Sequence, residues 1–310
     1  MSAKIAFVFP GQGSQSIGML AELGAQHAVV TNTFAQASEV LGYDLWELVQ
    51  LDVHNQLSQT HITQPALVAA SVSLWRLWLQ QGGATPSLLA GHSLGEYSAL
   101  VCSGALDFAD AIRLVEARGR FMQVAVPSGE GAMAAIIGLD NDVVAGVCKA
   151  SAEDQVVVPV NYNAPGQVVI AGSKPAVERA MVACKEFGAR AVMPLPVSVP
   201  SHCELMLPAA EQLRVLLEST KVVMPTIPVV QNVDGKVAGS VNVIVSNLVA
   251  HLIEPVLWTQ CVESIAASNV DLVIECGPGK VLNGLSKRIN KTLQTASINN
   301  AALLAATLEQ

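Results

Sequence analysis

Apolar residues along this chain fall into short runs that alternate with longer periodic stretches. The run IAFVF within residues 4–9 reads as a buried strand, residues 64–80 as a helix, and LLAG at 88–91 as a second strand that meets a helix starting near Leu94. DLVIECGPG at 271–279 repeats the order of strand, glycine turn and helix. Such alternation predicts an α/β protein with a mostly parallel sheet.

The middle of the chain follows a different order. Between PSGEG at 127–131 and the proline-rich PLPVSVP at 194–200, the strand-like AMAAIIGL precedes a helix near 141–150. Strands VVVPV and QVVIAG, a helix over about 174–187 and the strand-like ARAVMPL follow. This is β-α-β-β-α-β, the ferredoxin-like order. A small subdomain over 128–197 is therefore expected inside a larger α/β body made from 1–127 and 198–310. A cleft where the two meet is a common place for a small-molecule site.

Composition narrows the function classes. At 310 residues the chain can bury a full core, and 51% hydrophobic with 14% charged residues argues against disorder. A net charge of −8 disfavours nucleic acid and anionic lipid as partners. No apolar run approaches a membrane span, and the opening segment is too short for a secretion signal, so a cytoplasmic protein is expected. The six cysteines, at 102, 148, 184, 203, 261 and 276, form no C-x-x-C pair, so no zinc knuckle or dithiol site is indicated.

Two features carry chemistry. GHSLGE at 91–96 sets Ser93 between Gly91 and Gly95 at a strand-to-helix junction, the G-x-S-x-G pattern of a nucleophile elbow. The glycines leave room beside a sharp turn, and the following helix aims amide groups, Leu94 N–H first, at a reacting carbonyl. With 23 glycines in the chain the bare pattern can also be an ordinary turn; its place between strand and helix favours the elbow. The second feature is a helical stripe of Ala111, Leu114, Val115, Phe121, Met122 and Ala125 with Arg118 near its centre, while Arg113, Glu116 and Arg120 project oppositely. A buried arginine needs an anion: an internal Asp or Glu, or a ligand carboxylate held by two parallel hydrogen bonds. Gly11 and Gly13 are followed by Ser16 and not glycine, so the dinucleotide fingerprint fails; GPGK at 277–280 lacks P-loop spacing.

With GHSLGEYSAL at 91–100, FPGQGSQ at 9–15 and VPSH at 199–202, the sequence resembles, nearly end to end, the malonyl-CoA:acyl carrier protein transacylase family of bacterial type II fatty-acid synthesis. The first two motifs also mark acyltransferase domains of polyketide synthases. The resemblance implies an α/β-hydrolase-like body with a mostly parallel sheet plus an inserted ferredoxin-like (βαββαβ) subdomain. It implies Ser93 as nucleophile, His202 as base, the backbone N–H groups of Gln12 and Leu94 as oxyanion hole, and Arg118 as holder of the malonyl carboxylate. It further implies no metal and no permanently bound cofactor, with malonyl-CoA and CoA as substrate and product and a phosphopantetheinylated acyl carrier protein as partner. A serine thioester hydrolase, a polyketide-pathway acyltransferase and a non-catalytic carrier-binding module are the alternatives.

Three local questions follow from the resemblance. The family orients its base with a main-chain carbonyl near a glutamine, where this chain reads AHLIEP with His251 at the matching position. If the contact is through backbone the exchange matters little; if the side chain contributes, the orientation of His202 changes. Cys203, next to His202, is a rival nucleophile, but neighbours on an extended segment face opposite ways. Finally, Cys276 to Leu308 holds no acidic residue, and Lys280, Lys287, Arg288 and Lys291 read along a helix as a solvated face or as a docking patch for the acidic carrier protein or coenzyme A phosphates.

Overall fold

The computed structural model describes residues 4–197 and 199–309. Its strands are β1 (Ile5–Phe9), β2 (Leu88–Gly91), β3 (Gly131–Ile137), β4 (Val157–Ala164), β5 (Gln167–Ser173), β6 (Ala191–Pro194), β7 (Val229–Val230), β8 (Leu272–Glu275) and β9 (Gln294–Ser297). The main sheet has the order β7-β2-β1-β8-β9 with every pairing parallel. Every residue of β1, β2 and β8 is buried. Helices cover both faces of such a sheet, so its central strands read as unbroken apolar runs without alternation.

The second sheet, ordered β4-β5-β3-β6, is antiparallel throughout and draws all its strands from residues 131–194. Helices Asn141–Ala152 and Lys174–Glu186 lie in the β-α-β-β-α-β order, and their Val144, Val147, Val177 and Ala180 pack on Ala134, Ile136, Val168 and Ile170. Backbone bonds from Tyr162 N–H to Val256 O (2.9 Å) and from Val256 N–H to Val160 O (2.8 Å) fasten β4 to the larger body. The expected segment boundary at residue 198 and the chain ends at 1 and 310 lie outside the described residues.

One helix differs from its expected start. It runs Thr60–Gln80, four residues ahead of 64, with Pro65 inside it. Pro65 lacks an N–H, so the bond to the His61 carbonyl is lost, a cost the rest of a buried helix outweighs. The added turn matters because helix Phe108–Ala125 crosses it at Gly119, where a Cβ would lie 2.4 Å from His61 Cα. Only glycine permits that approach, and it brings Arg118 against Gln64. The basic helix near the C-terminus is also shorter than expected: it spans Val281–Ile289, so Lys280 sits at its N-cap and Lys291 beyond its end. No helix among the described residues is long and apolar enough to cross a membrane.

Register positions the site. Phe9 pairs with Gly91 and Ala90 with Val230, so the loops after β1, β2 and β7 leave the sheet side by side at its C-terminal edge. That edge is where open parallel sheets hold their ligands.

Candidate active site

Ser93 follows β2 with φ 51°, a left-handed conformation that is strained for a residue with a side chain. The turn is tight enough that a Cβ on Gly91 would meet Gly95 C at 1.9 Å and one on Gly95 would meet Phe9 O at 2.1 Å. Asn232, from the loop after β7, braces the bend from both sides: its Oδ1 accepts from Ser93 N–H at 2.7 Å and its Nδ2 donates to Gly91 O at 2.6 Å. Its own N–H is held by the Glu96 carboxylate at 2.8 Å.

Ser93 Oγ lies 2.7 Å from His202 Nε2, and His202 Nδ1 lies 2.6 Å from the carbonyl oxygen of His251. A carbonyl only accepts, so Nδ1 carries the ring proton and Nε2 presents its lone pair to the serine hydroxyl. The carbonyl is available because His251 caps helix Val241–Ala250, whose last C=O groups have no intrahelical donor. His202 also has a positive φ of 65°. Burial, reinforced by the Arg118 charge, pulls its pKa down to about 3, so the ring is neutral near pH 7 and can accept a proton.

The His251 contact runs through backbone. Its ring is buried, sits 4.8 Å from the His202 ring and, among the described residues, makes no hydrogen bond through either nitrogen. Nδ1 is 3.8 Å from Glu96 Oε2, yet burial lowers His251 well below the usual histidine value and raises Glu96 to about 7, so this is not an ion pair. Cys203 is turned away, its Sγ 3.1 Å from Pro200 O, and burial pushes its thiol up to about 11. A protonated, buried thiol is a poor nucleophile.

Two backbone amides near the serine lack partners. Among the described residues neither Gln12 N–H nor Leu94 N–H makes an intramolecular hydrogen bond. Leu94 is the N-cap of helix Gly95–Cys102, so the positive end of that helix adds to its amide.

Arg118 is 2% exposed, and among the described residues no Asp or Glu forms an ion pair with it. Nη1 donates to Gln64 Oε1 at 2.8 Å, the guanidinium carbon stands 5.7 Å from the Tyr97 ring, and Nη2 is buried with no hydrogen-bond partner among the described residues. Burial lowers its pKa, opposed by Tyr97 and Glu96. A buried donor left open on an arginine is uncommon and suits an anionic ligand.

Of the six residues expected from the sequence, Ser93, His202 and the His251 carbonyl are in direct hydrogen-bond contact, Leu94 follows Ser93 in the chain, and Gln12 is linked to Arg118 through Thr60 and Gln64. Five more were not anticipated: Asn232, Glu96, Gln64, Thr60 and Asn163, whose Oδ1 lies 2.7 Å from His92 Nε2. Gln64 left a signal, a polar residue at the start of a largely apolar helical run.

A strained serine, a neutral histidine of fixed tautomer and two open amides define a covalent acyl-transfer site. Comparison with known proteins agrees. Residues 6–308 match the family described as the acyl transferase domain. A Salmonella typhimurium protein named malonyl CoA-acyl carrier protein transacylase is 59% identical over 99% of both chains, and its Bacillus subtilis namesake is 43% identical over 96% of this chain and 94% of its own. The chain belongs to the acyl transferase family, within the malonyl-CoA:acyl carrier protein transacylases. Among solved structures, an acyl carrier protein S-malonyltransferase from Vibrio cholerae superposes with TM-score 0.95 at 58% identity, covering 98% of this chain and 99% of that one. A malonyl-transacylase in complex with its type II PKS acyl-carrier protein superposes with TM-score 0.98 at 57% identity, covering 99% of each.

Proposed function

We propose that this chain transfers malonyl from malonyl-CoA to the phosphopantetheine thiol of an acyl carrier protein, for fatty-acid assembly, through an ester on Ser93. His202 Nε2 takes the hydroxyl proton as Ser93 Oγ attacks the thioester carbonyl. The tetrahedral oxyanion rests on the N–H groups of Gln12 and Leu94, and collapse expels the coenzyme A sulfur, which receives the proton from His202. In the second half-reaction the carrier thiol gives its proton to His202 and attacks the ester, and Ser93 leaves with that proton. Arg118 Nη2 holds the free carboxylate throughout. Side chains and backbone amides suffice for these steps, so the proposal calls on no resident metal or cofactor. A cytoplasmic location belongs to the same proposal and is supported by six free, buried cysteines.

The observation that carries this reading is the 2.7 Å contact between Ser93 and a histidine whose tautomer is fixed, in the same buried site as an arginine with an open donor. Initial rates measured while both substrates are varied should give parallel reciprocal lines. Intersecting lines would mean that no covalent intermediate forms.

The basic helix near the C-terminus supports a carrier-docking role. Lys280, Lys287, Arg288 and Lys291 are exposed, and Gly279 adjoins Ser14 of the Gln12 loop. Charge reversal at Lys287 and Arg288 should raise KM for the carrier protein and leave malonyl-enzyme formation unchanged; equal effects on both half-reactions count against docking there.

A further inference from the structure

The oxyanion loop and the carboxylate end of the site are joined by side chains that the proposed chemistry does not itself require. Thr60 Oγ1 donates to Gln12 Oε1 at 2.8 Å, Gln64 Nε2 donates to Thr60 Oγ1 at 3.1 Å, and Arg118 Nη1 donates to Gln64 Oε1 at 2.8 Å. The direction of this chain is set from one end. Guanidinium groups only donate, so Gln64 must offer its oxygen to Arg118 and therefore its NH2 to Thr60. Thr60 Oγ1 accepts that NH2 with one of its two lone pairs, and its own proton goes to Gln12 Oε1. Thr60, Gln64 and Arg118 are 7%, 0% and 2% exposed, so water is poorly placed to replace a missing link. Among the described residues the only other hydrogen-bond partner of Gln64 Nε2 is Met122 Sδ at 3.6 Å, a weak acceptor. Gln12, by contrast, is exposed, and among the described residues Thr60 alone holds its side-chain amide by a hydrogen bond.

We propose that Thr60 is a positioning residue that relays the occupancy of Arg118 to the oxyanion loop, so that the malonyl carboxylate helps to set the Gln12 amide for attack. The inference rests on the reading of Arg118 as the carboxylate holder. A carboxylate on Nη2 fixes the guanidinium plane, hence Nη1, the Gln64 amide, the Thr60 hydroxyl and finally Gln12. An uncharged acetyl group leaves Nη2 open and the chain free to fluctuate. Selectivity for malonyl then appears partly in the rate of acylation and not only in binding.

Single-turnover acylation by malonyl-CoA and by acetyl-CoA tests this in the parent, Thr60→Val, Thr60→Ser, Arg118→Ala and the Arg118→Ala, Thr60→Val double variant. Thr60→Val should lower the maximal malonylation rate about tenfold, the usual penalty for orphaning buried hydrogen-bonding groups. The concentration dependence on malonyl-CoA should stay within about twofold, acetylation should barely change, and Thr60→Ser should restore malonylation. In the Arg118→Ala background Thr60→Val should cost nothing further. Equal losses with both acyl groups, or costs that add to those of Arg118→Ala, overturn the relay. If Arg118→Ala itself keeps the preference for malonyl, the reading of Arg118 fails instead. Thr60→Ala is read the same way should the valine variant not fold.

Discussion

The nucleophile end and the carboxylate end of this site are built by opposite means. Around Ser93 the bend itself is local, with Gly91 and Gly95 two residues away on either side, and the distant Asn232 only braces the peptide groups between them. Around Arg118 it is assembled from distance, through two helices that meet at Gly119 and a glutamine 54 residues away. The first holds a strained backbone that acts on any acyl thioester. The second presents one open donor, which in the proposed function distinguishes a diacid from a monoacid. The elbow and the arginine thus sit on separate elements, joined by the proposed Thr60 relay, and damage to each should have a different signature.

The largest selective effect is expected at the distal end. Arg118→Ala should lower kcat/KM for malonyl-CoA about 10² to 10³-fold, as expected for loss of a buried charge partner, and should spare acetyl-CoA. At the elbow, Asn232→Ala should lower transfer of both acyl groups by the same factor, about 10 to 10²-fold. It should also destabilise the fold by about 2 kcal/mol, because Ser93 N–H and Gly91 C=O lose their partner. An acyl-dependent effect of Asn232→Ala, or an acyl-independent one of Arg118→Ala, would break the comparison between the two ends.

A pH series sharpens it further. Glu96 is raised to about 7 by burial, so its neutral form favours the folded state; that contribution is full below 4.5 and is lost as pH rises through about 7. His202 is lowered to about 3, so its contribution is present above 6.5 and is lost as pH falls toward 3. Glu96→Gln, which cannot ionise, should therefore gain in Tm relative to the parent between about pH 5 and pH 8. A constant difference in Tm across that range would mean that Glu96 is ionised throughout. The smallest effect belongs to His251→Gln: because the contact to His202 is made by the main chain, the transfer rate should stay within about threefold. A larger change would give the imidazole of His251 a part in the chemistry.

The same division explains what could be read from the sequence. Ser93, its flanking glycines and Leu94 are contiguous, and β1 and β2 are unbroken apolar runs, so the elbow was legible from pattern and chemistry. The buried face of Arg118 was visible from helical spacing. Its pairing with Gln64 was not, because it arises where two helices cross, between residues 54 apart, and the expected start at 64 leaves out the turn that carries Thr60. Asn232 lies 139 residues from Ser93 and follows β7, a strand of two residues that leaves almost no periodic trace. His202 emerged only through the VPSH resemblance, since a lone histidine on an irregular segment has no periodicity to mark it. Tertiary register, not local propensity, brings these groups to the sheet edge.

The central claim is that Ser93 carries the acyl group between two thiols. Intact-mass measurement after brief exposure to malonyl-CoA, followed by peptide mapping, tests it most directly. One malonyl ester at Ser93 that persists without an acceptor, is discharged by the phosphopantetheinylated carrier protein and is absent from Ser93→Ala is the expected result. An adduct on another residue, or steady release of free malonate with no adduct, would contradict it.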